Sequence, residues 1–165
     1  MTLPTDQTAK TLYMLIGPKG SGKTYIGTLV SRHTAVQFIR VEPIWLGLPA
    51  GANGWRVVEQ TIDAAFAAHP QVMIESLGAG EGFWGFYASL ASKYPVKLIR
   101  VFADLDTCLV RVKTRDSTDH IPIAEDKVEA YNRIAAQVSY DWTLEIDNNG
   151  PASDRDILTA MQTIL

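Results

Sequence analysis

Short, unbroken apolar runs recur along this chain, separated by longer segments of mixed polarity. Residues 12–16 are wholly apolar, too short for a buried helix, and predict a strand covered on both faces. Residues 23–33 follow with Ile26, Leu29 and Val30 at helical spacing, the inner stripe of a helix. An apolar stretch with β-branched residues at 35–41 predicts a second strand, stopped by Pro43 and carrying Glu42 at its carboxyl end. A loop rich in Gly and Pro covers 46–54, and a helix from about 55 to 68 is closed by Pro70. The third strand is 72–74. A helix at 85–93, a strand at 96–102 and a helix at 105–115 come next. Residues 116–123 are polar, contain Pro122 and predict a mobile loop, before a helix at 124–139, a strand at 142–146 and a last helix at 153–164. Five buried strands alternating with helices predict an α/β fold: a five-stranded parallel sheet between two helical layers, in one domain spanning 1–165. Ligands in such sheets bind beyond the carboxyl ends of the strands, which singles out Glu42, residues 75–80, Asp104 and residues 147–151.

The junction after the first strand carries the most specific signal. Gly17-Pro18-Lys19-Gly20-Ser21-Gly22-Lys23-Thr24 has the spacing Gly-x-x-x-x-Gly-Lys-Thr, with a strand before it and a helix after it. This is a P-loop. Gly17, Lys19, Gly20, Ser21, Gly22, Lys23 and Thr24 are expected to bind nucleotide phosphate, because successive backbone N–H groups curl into an anion nest at a helix N-terminus. Lys23 is expected to reach the β- and γ-phosphates as a catalytic cation, and the Thr24 hydroxyl to hold Mg²⁺. ATP and Mg²⁺ are the expected cofactors.

Composition narrows the setting. The 165 residues are 47% hydrophobic and 20% charged, with a net charge of −3, which argues against a general nucleic-acid or membrane surface. Phosphate attraction then rests on local Lys and Arg. The single cysteine, Cys108, excludes an internal disulfide and a Cys-based zinc site, and reads as a small buried apolar side chain. No apolar run reaches the roughly 18 residues of a membrane span, and the polar first ten residues carry no signal-peptide core. A cytoplasmic monomer or weak homodimer is expected.

Beyond the P-loop, the order of features resembles shikimate kinase, one of the P-loop metabolite kinases related to the nucleoside monophosphate kinases. Phe38-Ile39-Arg40-Val41-Glu42 stands where that family has Phe-x-Asp-x-Asp, and Trp55-Arg56-Val57-Val58-Glu59 where it has Phe-Arg-x-x-Glu. Leu77-Gly78-Ala79-Gly80 stands for its glycine triplet, 116–123 for its lid, Arg133 for the arginine after the lid, and Asp147 with Pro151 for the acidic residue and proline after the fifth strand. The departures are Arg40 for an aspartate, Glu42 for a second aspartate, an interrupted glycine triplet, and Ile121 where the lid has an arginine. The resemblance implies an ATP-dependent kinase acting on a hydroxyl of a small metabolite. It implies an acceptor site of Glu42, Arg56, Gly78, Ala79, Gly80 and Arg133, with the two arginines clamping the carboxylate of a hydroxy-acid. In the related nucleotide kinases an Arg-x-x-x-Arg pair contacts adenine and phosphate. Arg111 and Arg115 match it, so Arg111 and Pro151 are nucleobase candidates and Arg115 a phosphate candidate; the pair equally suits a helix C-terminus.

Two carboxylates compete for the chemistry. Glu42 is placed to orient the acceptor hydroxyl and take its proton, whereas Glu75, after a buried strand, resembles a Walker B carboxylate that holds Mg²⁺. Trp45, Trp55, Phe83, Trp84 and Phe86 cluster near these loops and suit either the core or an apolar acceptor wall. His120 is a candidate to replace the missing lid cation, although a lone loop histidine is more often simply exposed. Two rival functions stay open: a nucleoside or nucleotide kinase, suggested by Glu42-Pro43-x-Trp45, and a nucleotide-binding sensor without transfer activity, suggested by Arg40 and Ile121.

Overall fold

The structure is a computed structural model that describes residues 9–114, 123–150 and 152–165. Its centre is β1 (Thr11–Ile16), which pairs in parallel with β3 (Gln71–Ser76) on one side and β4 (Val96–Phe102) on the other. The short β2 (Gln37–Ile39) extends the sheet beyond β3, and β5 (Leu144–Asp147) extends it beyond β4. The order β2-β3-β1-β4-β5 is wholly parallel, as the alternation of apolar runs with helices requires.

The period-two geometry of the strands sorts the core into two layers. Leu12, Met14 and Ile16 of β1 join Val72 and Ile74 of β3 on one face, covered by Val58, Ile62 and Phe66 and by Phe83, Phe86 and Leu90. These come from α3 (Gly54–Phe66) and α4 (Phe83–Lys93). Tyr13 and Leu15 turn to the other face with Met73, Ile99, Val101 and Ile146, under α1 (Lys23–His33) and α7 (Asp154–Gln162). The Ile26, Leu29 and Val30 stripe is buried there, as its spacing predicts. Between β4 and β5 run α5 (Leu105–Thr114) and α6 (Glu125–Gln137), and Cys108 is fully buried on α5.

One element departs from the sequence reading in a way that matters. The second strand ends at Ile39, and residues 41–46 form a helix, α2 (Val41–Leu46), with Arg40 as its N-cap residue. Pro43 does not terminate the strand; it lies in the first turn of α2, where a missing N–H leaves no helical bond unmade. Glu42 therefore stands in a helical first turn, where a carboxylate also suits the helix dipole. Smaller differences follow local bonding. Asn53 caps α3 by accepting from the Arg56 N–H at 3.2 Å, so the helix starts at Gly54, and β3 continues through Glu75 to Ser76 in register with β1. Among the described residues, no helix is long and apolar enough to cross a membrane.

Candidate functional site

The P-loop runs from the end of β1 into α1. Gly22, the N-cap of α1, has φ 103°, and Gly20 has φ 84° with the Cys108 carbonyl 2.3 Å from where a Cβ would stand. A side chain at either position would be strained, and at Gly20 it would collide with the backbone of α5. The loop is also held from outside. Asn132 of α6 accepts from the Lys19 N–H at 2.8 Å and donates to the Lys19 carbonyl at 2.9 Å. Asn148, just past β5, donates to the Ser21 carbonyl at 2.8 Å. Arg111 of α5 donates to the Gly20 carbonyl at 3.2 Å and to the Asn148 carbonyl at 2.6 Å. Both asparagines are buried; Asn148 falls in the 147–151 stretch expected at the carboxyl edge of the sheet, whereas Asn132 was not singled out in the sequence. A signal existed for Asn132: it is the polar member of the inward stripe Val128, Asn132, Ala135. A buried polar residue in an apolar stripe needs a partner, and here the partner is the loop.

Lys23 Nζ donates to the carbonyls of Gly17 and Pro18, at 2.7 and 2.8 Å. Burial pushes its ammonium down to about 8; Glu75 and Glu42 draw it up, and Lys19 pushes it further down. The Thr24 hydroxyl donates to Glu75 Oε2 at 2.7 Å, while the other Glu75 oxygen is buried with no hydrogen-bond partner among the described residues. Lys19 Nζ and Glu42 Oε2 form an ion pair at 3.2 Å.

Two cavities meet over this constellation. The first, about 190 Å³, is lined by Gly20, Gly22, Lys23, Thr24 and Arg111, along with Lys19, Glu42 and Glu75. It is polar and lies at the mouth of the P-loop. The second, about 300 Å³, shares Lys19, Lys23, Glu42 and Glu75 with the first and is otherwise mainly apolar, walled by Trp45, Trp55, Leu77, Ile123, Tyr131 and Ile134. Ala79 and Gly80 also line it. Gly78 instead packs against Ile16 and Tyr140, its N–H donating to Ser76 Oγ at 3.0 Å and its carbonyl accepting from the Tyr140 hydroxyl.

The structure thus brings together Lys19, Lys23, Thr24, Glu42 and Glu75, with Gly20, Gly22, Arg111, Ala79 and Gly80 around them. It does not bring Arg56 or Arg133 to either cavity: both are exposed, on α3 and α6, and neither lines a wall. Glu59, which shares the family-like motif with Arg56, ion-pairs with Lys93 at 2.9 Å and accepts from the Ser89 hydroxyl, tying α3 to α4. Arg111 is engaged by backbone carbonyls on the polar side. Of the expected aromatics, Trp45 and Trp55 line the second cavity, Phe83 and Phe86 are core, and Trp84 is exposed. Arg115, His120, Ile121 and Pro151 lie outside the described residues, as does the expected lid except Ile123.

No family model and no curated protein sequence matches the chain. Solved structures do. A shikimate kinase from Acinetobacter baumannii in complex with shikimate superposes with a TM-score of 0.63 at 15% identity, covering 96% of this chain and 94% of that one. A deoxyadenosine kinase from M. mycoides with bound dATP gives 0.58 at 13% identity, over 92% and 98% of the two chains. A gluconokinase from Sinorhizobium meliloti gives 0.58 at 12% identity, over 95% and 93%. At such identities the likeness speaks for architecture, and together with the parallel sheet and the loop after β1 it establishes that this chain has the three-layer α/β/α fold of P-loop nucleoside-triphosphate-binding proteins.

Proposed function

We propose that this protein is a kinase that moves the γ-phosphoryl group of ATP to a hydroxyl of a small molecule. The observation that carries the reading is the shared floor: a polar cavity at the P-loop and an apolar cavity meet at Lys19, Lys23, Glu42 and Glu75. A phosphoryl donor in one and a hydroxyl in the other would face each other across Glu42. Structural neighbours named for shikimate, deoxyadenosine and gluconate kinases support the same reading.

The residues divide the work as phosphoryl transfer requires. The P-loop amides and Lys23 bind the β- and γ-phosphates, and Lys23 leaves its carbonyl partners to do so. Glu42 accepts the hydroxyl proton as the oxygen bonds to the γ-phosphorus and the bond to the ADP oxygen breaks. Lys19, paired with Glu42, holds that carboxylate in position and adds positive charge beside the phosphate. The Thr24 hydroxyl and the unpartnered oxygen of Glu75 fit Mg²⁺, which takes few protein ligands and keeps waters and phosphate oxygens as the rest. Bound there, the ion would neutralise charge on the β- and γ-phosphates.

A nucleoside acceptor is the second reading, favoured by Trp45, three residues after Glu42 and in the wall of the apolar cavity. The test is ADP formation from ATP and Mg²⁺ over a panel of hydroxy-acids, sugars, nucleosides and neutral alcohols. At least one acceptor is expected to stimulate turnover and to emerge phosphorylated. Tight ATP binding with no stimulation by any of them would instead describe a sensor.

A further inference from the structure

The acceptor cavity specifies more than a hydroxyl. Resting on the kinase reading, we infer that the acceptor is a neutral molecule with an apolar, ring-sized body carrying the reacting hydroxyl, and not a hydroxy-carboxylate.

Charge placement is the first argument. Among the described residues, the charged groups in the cavity wall are Lys19, Lys23, Glu42 and Glu75, and all four belong to the floor shared with the phosphate cavity. Lys19 is taken by Glu42, and Lys23 faces the phosphate side from the carbonyls of Gly17 and Pro18. Away from that floor the described wall offers Val41, Trp45, Trp55, Leu77, Ala79, Ile123, Tyr131 and Ile134, with Ser76 and Gly80. An acceptor carboxylate would lose its hydration there with no cation from the described wall in return, while a neutral ring loses only water contacts it does not need.

The wall is also built in advance. Trp45 meets Trp55 edge-on at 5.5 Å, and Trp55 packs on Phe86 at 4.7 Å. The Trp55 indole N–H donates to the Glu81 carbonyl at 3.1 Å. The Trp45 ring lies so close to Gly54 that a Cβ there would stand 2.2 Å from it. Two indoles fixed in this way present a preformed apolar surface without further ordering, which suits a rigid body packing against them. Across the cavity Tyr131 and Ile134 are 44% and 53% exposed, and an apolar ligand would cover them.

A matched pair of probes tests the inference: 4-methylbenzyl alcohol and 4-(hydroxymethyl)benzoate, alike except for the carboxylate. Binding is followed by tryptophan fluorescence with a non-hydrolysable ATP analogue and Mg²⁺ present, and transfer by mass spectrometry with ATP. The neutral alcohol is expected to bind at least about 10²-fold more tightly than the benzoate. Ile134→Ser, at an exposed position that should leave folding intact, is expected to weaken its binding roughly tenfold without altering the affinity for the analogue. Equal or tighter binding of the benzoate, or of shikimate, overturns the inference, as does failure of both probes to bind. Selective binding of the neutral alcohol with no phosphate appearing on it would uphold the apolar acceptor cavity and remove the kinase reading. The two claims therefore fail separately.

Discussion

The two cavities over the P-loop are built by opposite means. On the phosphate side almost every contact is backbone or is aimed at backbone: Gly20 and Gly22 set the curl, while Asn132, Asn148 and Arg111 hold the carbonyls and amides of the loop from three different elements. On the acceptor side the wall is side-chain surface from α2, α3, α6 and the segment after β3, with the charged groups of the described residues confined to the floor. A phosphate chain is the same in every nucleotide, so one backbone shape serves it and a short motif encodes that shape. An acceptor is particular, so its cavity is assembled from residues far apart in sequence.

This contrast can be broken first at Lys23. Lys23→Ala is expected to cut transfer on the order of 10³-fold while the thermal unfolding midpoint stays close to that of the parent, since the side chain serves ligand and not core. A loss below about tenfold, equivalent to about 1.4 kcal/mol, would remove its assigned role. Glu42→Gln comes next. It keeps the shape of the floor but not the proton acceptor, so kcat should fall on the order of 10²-fold with acceptor KM little changed. Normal turnover would transfer the role to Glu75.

The depressed Lys23 ammonium, near 8, gives a pH signature of the phosphate side. Below that value the free and loaded sites both hold a charged lysine, so ATP affinity should be flat. Above it the free site loses its proton while phosphate charge keeps the loaded one protonated. Binding then takes up a proton and weakens by up to about tenfold per pH unit, a dependence read by calorimetry in buffers of different ionisation enthalpy. A flat profile from pH 7 to 9.5 would show that Lys23 is not desolvated. The smallest effect sharpens the comparison most. Asn132→Ala leaves both peptide groups of Lys19 unpaired, and should lower stability by about 1–3 kcal/mol and ATP affinity several-fold. Arg133→Ala, one residue on but exposed, should change neither. If Arg133 instead controls acceptor KM, the carboxylate clamp returns.

How much of this could be read from residues alone follows the same divide. Strand count, strand type and the P-loop were all legible, because two-sided burial gives unbroken apolar runs and phosphate geometry demands glycines at fixed spacing. Glu42 was legible as a candidate, but its setting was not: a β-branched run up to Val41 looks like strand, and Pro43 looks like a stop until the first turn of α2 makes it welcome. Arg56 and Arg133 came from resemblance, which transmits position along the chain but not the face a helix presents. Asn132 escaped because its two partners belong to the backbone of Lys19, and no side-chain pattern announces a backbone partner.

The central claim is that the two cavities are halves of one site, joined where a γ-phosphate meets Glu42. The most direct measurement compares two esters of ATP, the γ-methyl ester and the γ-(4-methylbenzyl) ester, by calorimetry with Mg²⁺. They carry the same charge and differ only in what extends past the γ-phosphate. The account predicts that the benzyl ester binds at least about tenfold tighter, a gain of about 1.4 kcal/mol, and that Ile134→Ser reduces this advantage while leaving the methyl ester unaffected. Equal affinities of the two esters would mean that the apolar cavity does not open onto the γ-phosphate, and would contradict the account.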